Sequence, residues 1–408
     1  LLDVLNSTGT PAINATSAVL QPLVAIPAVN ANATAAVHLQ VSLQATVFDD
    51  YPSSFDSFNF INSFFSGVFD HNGHVWLVPL KAPSIVRVNV ETGFMDSPVP
   101  MPPNTTYAHV LLGAYYGGVF ENRTNSVWLC PSTATHILQI DPISFNSTVH
   151  EIPLEYSNTT HISFAGCTYD PVVGQIWLNP FHNQNKLIAI DPTTGTVSES
   201  HDMAATFPQG TQKPWGVGSG WSTGIVADTL GYGWLIPSHA RDLIRFDMLQ
   251  STYKRERPLD ERFTLVDGWP EGFDGSKTQL FNGGCLDTIT DSIWLSPVSA
   301  QAVIKVNVFN LAMTAFTVFP DPTIDINAGG KFRGAIFDGA FVYFIPSSGS
   351  RNLVRATPSD HGNKTHFQTV QMDGLPPSND TDDWHFHGGV FTGTEIILVP
   401  ARNKPVVR

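Results

Sequence analysis

Charge is scarce in this chain. Only 14% of its 408 residues are Asp, Glu, Lys or Arg, and 35 acidic residues outnumber 21 basic ones, for a formal net charge of -14. Nucleic acids and anionic membranes are bound through clustered positive charge. The balance argues against both as partners, and the 32 glycines and 30 prolines indicate a turn-rich chain.

Long apolar runs are also missing. No stretch is long and apolar enough to cross a bilayer, so we expect no membrane insertion. The first residues, Leu1-Leu2-Asp3-Val4, lack the basic region that opens a signal peptide. We therefore expect the numbering to begin at a processed, mature terminus.

Cysteine is rare, with Cys130, Cys167 and Cys285 only. Each falls in a strand-like stretch, where a buried thiol commonly behaves as a small hydrophobe, and this is the default expectation. A Cys130–Cys167 bridge between successive repeats is the alternative. The chain has no CxxC motif, no Cys/His metal spacing and no Gly-rich phosphate loop. We predict no metal site and no cofactor.

Asn-X-Ser/Thr sequons are plentiful by contrast. They matter only in chains that pass through a glycosylating secretory route. The nine sequons are Asn6, Asn14, Asn32, Asn104, Asn122, Asn146, Asn158, Asn363 and Asn379. They predict a glycoprotein that is secreted or displayed on a cell surface.

The N-terminal region differs from the rest. Residues 1–35 are nearly uncharged and contain three prolines and three sequons, which predicts an extended, glycosylated arm. From Val37 to Val47, apolar and polar residues alternate strictly. This pattern is typical of a half-buried strand, yet no hairpin partner lies nearby in the sequence.

A repeated strand follows, in which a large apolar residue, most often Trp followed by Leu, stands three positions before a closing proline. Its copies are Trp76-Leu-Val-Pro79, Trp128-Leu-Cys-Pro131, Trp177-Leu-Asn-Pro180, Trp234-Leu-Ile-Pro237, Trp294-Leu-Ser-Pro297, Tyr343-Phe-Ile-Pro346 and Ile397-Leu-Val-Pro400. Their mean spacing is about 53 residues, a period that in an all-β chain indicates a propeller. Each copy has a glycine about ten residues upstream, as suits a crowded inner strand, and in six copies a third strand follows the proline.

The seventh copy stops at Arg408, early in its third strand. An incomplete blade leaves backbone groups unpaired. We expect residues 36–408 to form a seven-bladed β-propeller of four-stranded blades, with the strand at 37–47 completing the last blade in cis or donated in trans to a neighbour.

The Trp-Leu-x-Pro strand, with the later Leu187-Ile-Ala-Ile-Asp191-Pro-x-Thr-Gly195 pattern, resembles the propellers of the YVTN, NHL and streptogramin-lyase-like superfamily. The resemblance covers roughly residues 55–408. It specifies architecture well and function poorly, because relatives include lyases, lactonases, scaffolds and adhesins.

Two sets of residues inside the repeat are interpreted as scaffold. The acids that follow the first strand open tight turns, and the tryptophans pack between blades. The acids are Asp70, Glu121, Asp170, Asp228, Asp287 and Asp338.

The residues just before each inner-strand glycine are predicted to ring the mouth of the axial channel. This rim comprises Phe64-Phe65, Tyr115, Tyr116, His161, Phe164, Trp221, Ser222, Asn282, Lys331, Arg333, Asp383, Trp384, His385, Phe386 and His387. Aromatic rings with basic and His side chains suit stacking on sugars or holding an anionic group.

His385 and His387 are weak catalytic candidates, because residues two apart share one face of a strand. The resemblance implies a His/Glu set with a divalent cation in lyases and a Glu/Asn/Asp calcium set in lactonases. Glu is absent from every rim segment, and the rim acids Asp382 and Asp383 belong to one blade. We therefore predict a non-enzymatic structural or adhesive building block.

The predicted partners are other copies of itself or other extracellular proteins, bound through residues 1–47, and glycans at the rim. Strand donation between copies would join them into a filament. A lyase-like or lactonase-like enzyme, or a lectin-like sugar binder, remains the alternative.

Overall fold

A computed structural model describes residues 41–55, 62–103, 113–156, 162–181, 186–203, 222–240, 242–249, 262–266, 268–275, 277, 279–317, 324, 329–347, 352–358, 367–375, 386–401 and 405–408. The predicted arm at 1–35 lies outside these residues. Two short strands, β1 (Val41–Gln44) and β2 (Val47–Phe48), precede the repeats. A single turn of 3-10 helix, Ser53–Phe55, follows β2. No helix in the described part is long and apolar enough to span a bilayer.

The described repeats form seven sheets, one per blade, which confirms the predicted architecture. Blade 1 has β3 (Phe64–Phe69), β4 (His74–Pro79), β5 (Val86–Asn89) and β6 (Met95–Asp96). Blade 2 has β7 (Tyr115–Glu121), β8 (Ser126–Pro131), β9 (His136–Ile140) and β10 (Ser147–Glu151). Blade 3 has β11 (Phe164–Asp170), β12 (Gln175–Pro180), β13 (Lys186–Asp191) and β14 (Thr196–Asp202).

The remaining blades follow the same plan. Blade 4 has β15 (Ser222–Ala227), β16 (Tyr232–Pro237), β17 (Leu243–Asp247) and β18 (Phe263–Val266). Blade 5 has β19 (Phe281–Asp287), β20 (Ser292–Pro297), β21 (Val303–Asn307) and β22 (Met313–Phe316). Blade 6 has β23 (Phe332–Phe337), β24 (Val342–Pro346), β25 (Leu353–Ala356) and β26 (Phe367–Asp373). Blade 7 has β27 (Phe386–Phe391), β28 (Ile396–Pro400) and β29 (Val406–Val407).

The ring is continuous. Each inner strand contacts the inner strand of the next blade, and β27 of blade 7 contacts β3 of blade 1. The second strand of each blade is covered by neighbouring blades on both faces, which is why β8 and β20 are buried along their whole length. Outer strands such as β14 alternate between half-buried and exposed residues, because one face meets solvent.

The tryptophans pack between blades, as predicted. Trp76 is fully buried in a cluster with Tyr115 and Val127 of blade 2, and Trp294 is buried with Phe332 and Phe344 of blade 6. The turn role of the acids is also confirmed. The Asp70 carboxylate Oδ1 accepts hydrogen bonds from the backbone N–H groups of Asn72 (2.8 Å) and His74 (3.0 Å).

The segment predicted as one strand over 37–47 is divided between two blades. β1 pairs in parallel with β26, where Val41 faces Val370, and so adds a fifth strand to blade 6. β2 pairs antiparallel with β29, where Val47 faces Val407, and so gives blade 7 its fourth strand within the same chain. Ala45 and Thr46, which belong to neither strand, separate β1 from β2 where the chain crosses from one blade to the next.

A disulfide joins Cys130 on β8 to Cys167 on β11, so it links blades 2 and 3 covalently. The default expectation of three unbridged thiols therefore does not describe these two residues. Cys285 on β19 remains unbridged, and burial raises its pKa well above the usual range of a thiol.

Candidate functional site at the axial channel

Every inner strand carries an irregularity in its pairing with the second strand, close to its start. The first residue of the strand faces the closing proline, and the next residue falls where the register shifts. A bulge re-aims the side chain at that position. The seven equivalent positions are Phe65, Tyr116, Ala165, Thr223, Asn282, Arg333 and His387.

Six of these bulge residues line one axial cavity of about 340 Å³: Phe65, Tyr116, Ala165, Thr223, Asn282 and His387. Glycines form most of the remaining wall, since inner strands approach one another closely at the axis. A Cβ atom added to Gly117 would lie 2.8 Å from the Cα of Gly166 in the next blade. Because the glycines have no side chains, the bulge residues supply most of the functional groups that face this channel.

Aromatic contacts organise one side of the channel. The rings of Phe65 and Tyr116 stack with centroids 3.5 Å apart, and Phe65 lies 5.3 Å from the imidazole of His387. Tyr116 also stacks on Phe181 at 6.3 Å. Together these rings form an aromatic cluster, of which Phe65 and Tyr116 line the cavity.

Polar groups converge on the same cavity. Burial raises the pKa of Tyr116 to about 12, and the nearby Arg333 guanidinium opposes this rise. The phenol is therefore neutral at pH 7 and can donate a hydrogen bond. The Ser66 hydroxyl, which also lines the cavity, is buried without a hydrogen-bond partner among the described residues.

Two of the bulge residues are already committed to the scaffold. His387 is buried, and its Nδ1 lies 2.7 Å from the carbonyl oxygen of Phe64, to which an Nδ1–H donates. The Thr223 hydroxyl donates to the carbonyl oxygen of Phe281 (2.8 Å) and accepts from the N–H of Gly283 (3.3 Å). These contacts tie neighbouring inner strands together.

Several predicted rim residues take other places. Tyr115 is fully buried, and its hydroxyl lies 2.7 Å from Nε2 of His136. Lys331 is also fully buried, one position before β23 begins. His161, Trp221, Asp383, Trp384 and His385 lie outside the described residues. Ala165 and Thr223 were missed, although both stand directly before an inner-strand glycine.

The described wall of the cavity holds one imidazole and no carboxylate. Those residues do not fit the His/Glu set with a divalent cation that the lyase resemblance implies. In the described part of the chain, no group of three His, Cys, Asp or Glu side chains is arranged to hold a metal ion.

Of the nine sequons, two fall within the described residues. Asn122 and Asn146 are both exposed at turns of blade 2. Asn6, Asn14, Asn32, Asn104, Asn158, Asn363 and Asn379 lie outside the described part.

No protein-family model matches the chain, and no curated protein matches it. Solved structures do resemble it. A catalytically inactive variant of virginiamycin B lyase from Staphylococcus aureus with quinupristin has a TM-score of 0.61 and 15% identity, over 89% of this chain and 98% of that one. A streptogramin B lyase has a TM-score of 0.58 and 13% identity, over 86% and 96%.

The WD40 repeats of RRP9 give a TM-score of 0.57 at only 8% identity, over 89% of this chain and 96% of that one. At such identities, likeness indicates shared architecture rather than shared chemistry. The comparisons show that this chain has the β-propeller fold found in streptogramin lyases and in WD40 proteins alike.

Proposed function

We propose that this chain is an extracellular, glycosylated, non-enzymatic propeller that serves as a structural or adhesive building block. The observation that carries the compartment is the disulfide between Cys130 and Cys167, since such bonds persist in oxidising environments and are rare in the cytosol. The exposed sequon asparagines Asn122 and Asn146 agree with it, because an oligosaccharyl group needs an accessible side chain.

The channel supports binding in preference to turnover. Its described groups are stacked rings, a neutral phenol, an amide, an unpartnered hydroxyl and a histidine that bonds a backbone carbonyl. These groups suit recognition of a sugar. Glycans, on cell surfaces or on other copies of this protein, are the proposed ligands of the channel mouth.

The assembly mode we propose is exchange of the closing strand. Backbone bonds in both directions join Thr46 and Arg408 (2.9 Å each), and Val47 faces Val407 in the next, non-hydrogen-bonded pair. A second copy that supplied its own residues 41–48 would reproduce these pairings in trans and create an open chain of subunits.

The test of exchange is a covalent trap. In a Cys285→Ser background, Val47→Cys and Val407→Cys are introduced together, because non-hydrogen-bonded pairs bring side chains close. The folded triple variant is oxidised at high protein concentration and then run on a denaturing, non-reducing gel. A ladder of covalent multimers is expected. A single cross-linked monomer would show that the strand closes only its own ring, and polymerisation by exchange would be wrong.

Compartment and glycosylation are tested in a glycosylating host. The secreted protein should lose mass on treatment with peptide N-glycosidase, and Asn122→Gln and Asn146→Gln should each remove one glycan. Protein that is secreted without a glycan at either position would contradict the glycoprotein proposal for these sites.

An enzyme acting at the channel is the second candidate, favoured by the place of His387 in the cavity and by the lyases among the similar structures. His387→Gln keeps a hydrogen-bond donor toward the Phe64 carbonyl while it removes an acid/base group. Loss of a detected lyase or hydrolase activity in this variant, with unchanged stability, would favour catalysis.

A further inference from the structure

The seams between blades are filled unequally. In blades 1 to 5, the second strand places a fully buried tryptophan against the next blade. The equivalent residue in blade 6 is Tyr343, which packs toward blade 7, and in blade 7 it is Ile397, which packs toward blade 1. At both seams that flank blade 7, the second strand therefore contributes a smaller side chain than the tryptophan of the other five seams.

At the seam between blades 7 and 1, additional aromatic residues fill the space that a tryptophan would occupy. Phe48 and Phe55 are buried in the same cluster as Ile397, and the ring of Tyr51 stacks on Phe64 at 6.2 Å. At the seam between blades 6 and 7 the added side chains, Phe341 and Leu375, are only partly buried. A cavity of about 470 Å³ lies there.

We call this space the seam cavity. The two side walls that blades 6 and 7 contribute to it are mainly apolar. Its two sides are formed by Tyr343, Leu353, Val370 and Met372 of blade 6 and by Phe391, Ile396, Leu398 and Val407 of blade 7. Leu43 and Gln44 at the end of β1 and the crossing residues Ala45 and Thr46 also line it. The remaining lining residues are polar: Asp338, Thr394, Glu395 and Arg408.

Backbone hydrogen bonds fix that crossing segment at both ends. The N–H of Ala45 donates to the carbonyl oxygen of Asp373 in blade 6 (2.7 Å), and the N–H of Thr46 donates to the carbonyl oxygen of Arg408 beside blade 7 (2.9 Å). The cavity is thus formed in advance, so a ligand would not have to order its walls on binding.

The polar groups at the edge of the seam cavity are engaged with the protein itself. Asp338 Oδ1 accepts from the N–H groups of Ala340 (2.8 Å) and Phe341 (2.7 Å). Arg408 Nη1 donates to the carbonyl oxygens of Val90 (3.0 Å) and Glu91 (3.1 Å). Arg408 Nε lies 3.7 Å from Glu395.

The edge carries two carboxylates and the Arg408 guanidinium, and the Arg355 guanidinium lies against the Tyr343 hydroxyl, so positive and negative charges are close to balanced. Burial raises the pKa of Tyr343, so its hydroxyl is neutral. What the cavity offers a ligand is mainly apolar surface, with the hydroxyl groups of Thr46, Tyr343 and Thr394 in its lining.

We propose that the seam cavity between blades 6 and 7 binds a neutral, predominantly apolar small molecule. Its volume falls within the range of about 300–1,000 Å³ that is usual for small-molecule pockets, and the side walls contributed by blades 6 and 7 are mainly apolar. A fused aromatic ring system or a medium-length alkyl chain has the matching shape and polarity.

The test is a fluorescence titration of the full chain with 1-aminoanthracene, a neutral fluorophore. Saturable binding of one molecule per chain is expected. The anionic dye 1-anilinonaphthalene-8-sulfonate should bind roughly tenfold or more weakly, because its sulfonate would lose hydration against the apolar walls.

Two variants fill the cavity from different sides. Tyr343→Trp introduces the tryptophan that blades 1 to 5 have at this position. Leu43→Trp fills the seam cavity from β1. Each should weaken 1-aminoanthracene binding roughly tenfold or more. Leu265→Trp is the matched control, since Leu265 on the outer strand of blade 4 is 40% exposed and Leu43 is 42% exposed. It should leave the affinity unchanged.

Thermal unfolding of each variant verifies that the ring is intact, and Leu43→Trp serves if Tyr343→Trp does not fold. Absence of saturable binding would overturn the proposal, as would equal affinity in the control and the two filling variants. Tighter binding of the sulfonate dye would also overturn it. None of these results depends on secretion, glycosylation or strand exchange.

Discussion

The indole Nε1–H of Trp76 donates a hydrogen bond to Asp70 Oδ2 at 3.0 Å. The same carboxylate closes the turn between β3 and β4, so one side chain links the turn to the seam between blades. Trp234 with Asp228 (2.8 Å) and Trp294 with Asp287 (3.3 Å) repeat the arrangement. In blades 1, 4 and 5 the acid and the tryptophan therefore form one structural unit.

Asp70→Ala should lower the free energy of unfolding by about 1–3 kcal/mol, because it leaves a buried indole N–H and two turn N–H groups without their acceptor. Urea unfolding of Asp70→Ala, Trp76→Phe and the double variant measures the coupling. The double variant should lose less than the sum of the singles. Strict additivity would contradict the hydrogen bond as a stabilising contact.

Loss of the blade 2–blade 3 disulfide should also destabilise the fold. Cys130→Ala with Cys167→Ala should cost about 2–4 kcal/mol, since the bond closes a loop with a sequence separation of 37 residues in the unfolded chain. Guanidinium unfolding with and without reductant measures this. Reductant should affect the parent and leave the double variant unchanged, and Cys285→Ala is the control.

Blade 3 lacks a donor that blade 5 has. Asp170 Oδ2 and Trp177 Nε1 are both buried without a partner, whereas in blade 5 the Thr290 hydroxyl donates to Asp287 Oδ2. Val173 occupies the position equivalent to Thr290, three residues after the acid. Val173→Thr should stabilise the protein by about 1 kcal/mol.

The gain from Val173→Thr should depend on pH. Burial raises the pKa of Asp170 in the folded state, so ionisation of this group costs stability as pH rises through that pKa. A new donor to the carboxylate reduces the cost, and the gain should be larger at pH 7 than at pH 4. Urea unfolding at both pH values measures it, and an equal gain at both would contradict this account.

His136 should contribute to loss of stability in acid. Burial lowers its pKa in the folded protein, with Glu151 opposing the change. Stability is then complete above the unfolded pKa of about 6.5 and falls as pH decreases through it, because the unfolded chain binds the proton more readily. His136→Gln should flatten the decrease in melting temperature between pH 7 and pH 5. An unchanged slope would be the contrary result.

Ring closure should depend on Phe48. Phe48→Ala removes a buried ring from the seam between blades 7 and 1 and should cost about 3–5 kcal/mol. Leu43→Ala, on the exposed strand β1, should cost much less. Denaturant unfolding of the two variants compares them, and similar losses would show that β2 does not hold blade 7 closed.

The types of residue that line the channel could largely be predicted from the sequence, but the exact positions that face the axis could not. Aromatic and basic residues near the inner-strand glycines indicated the channel, and Tyr116, Asn282, Arg333 and His387 do occupy bulge positions. Tyr115 was predicted to lie at the rim, but a bulge changes which of two adjacent side chains faces the axis. Pairing of Tyr115 with Pro131, rather than alternation along β7, decides which side chain that is.

The sequence by itself determined the seven blades, their tryptophan seams and their acid-capped turns, because periodic burial and turn chemistry are local properties that recur with each repeat. The tertiary structure alone decided where residues 41–48 pair, which thiols bond and where the ring is under-packed. Those outcomes depend on contacts between distant segments, such as Val47 with Val407 and Tyr343 with blade 7, and no local pattern encodes the distance between them.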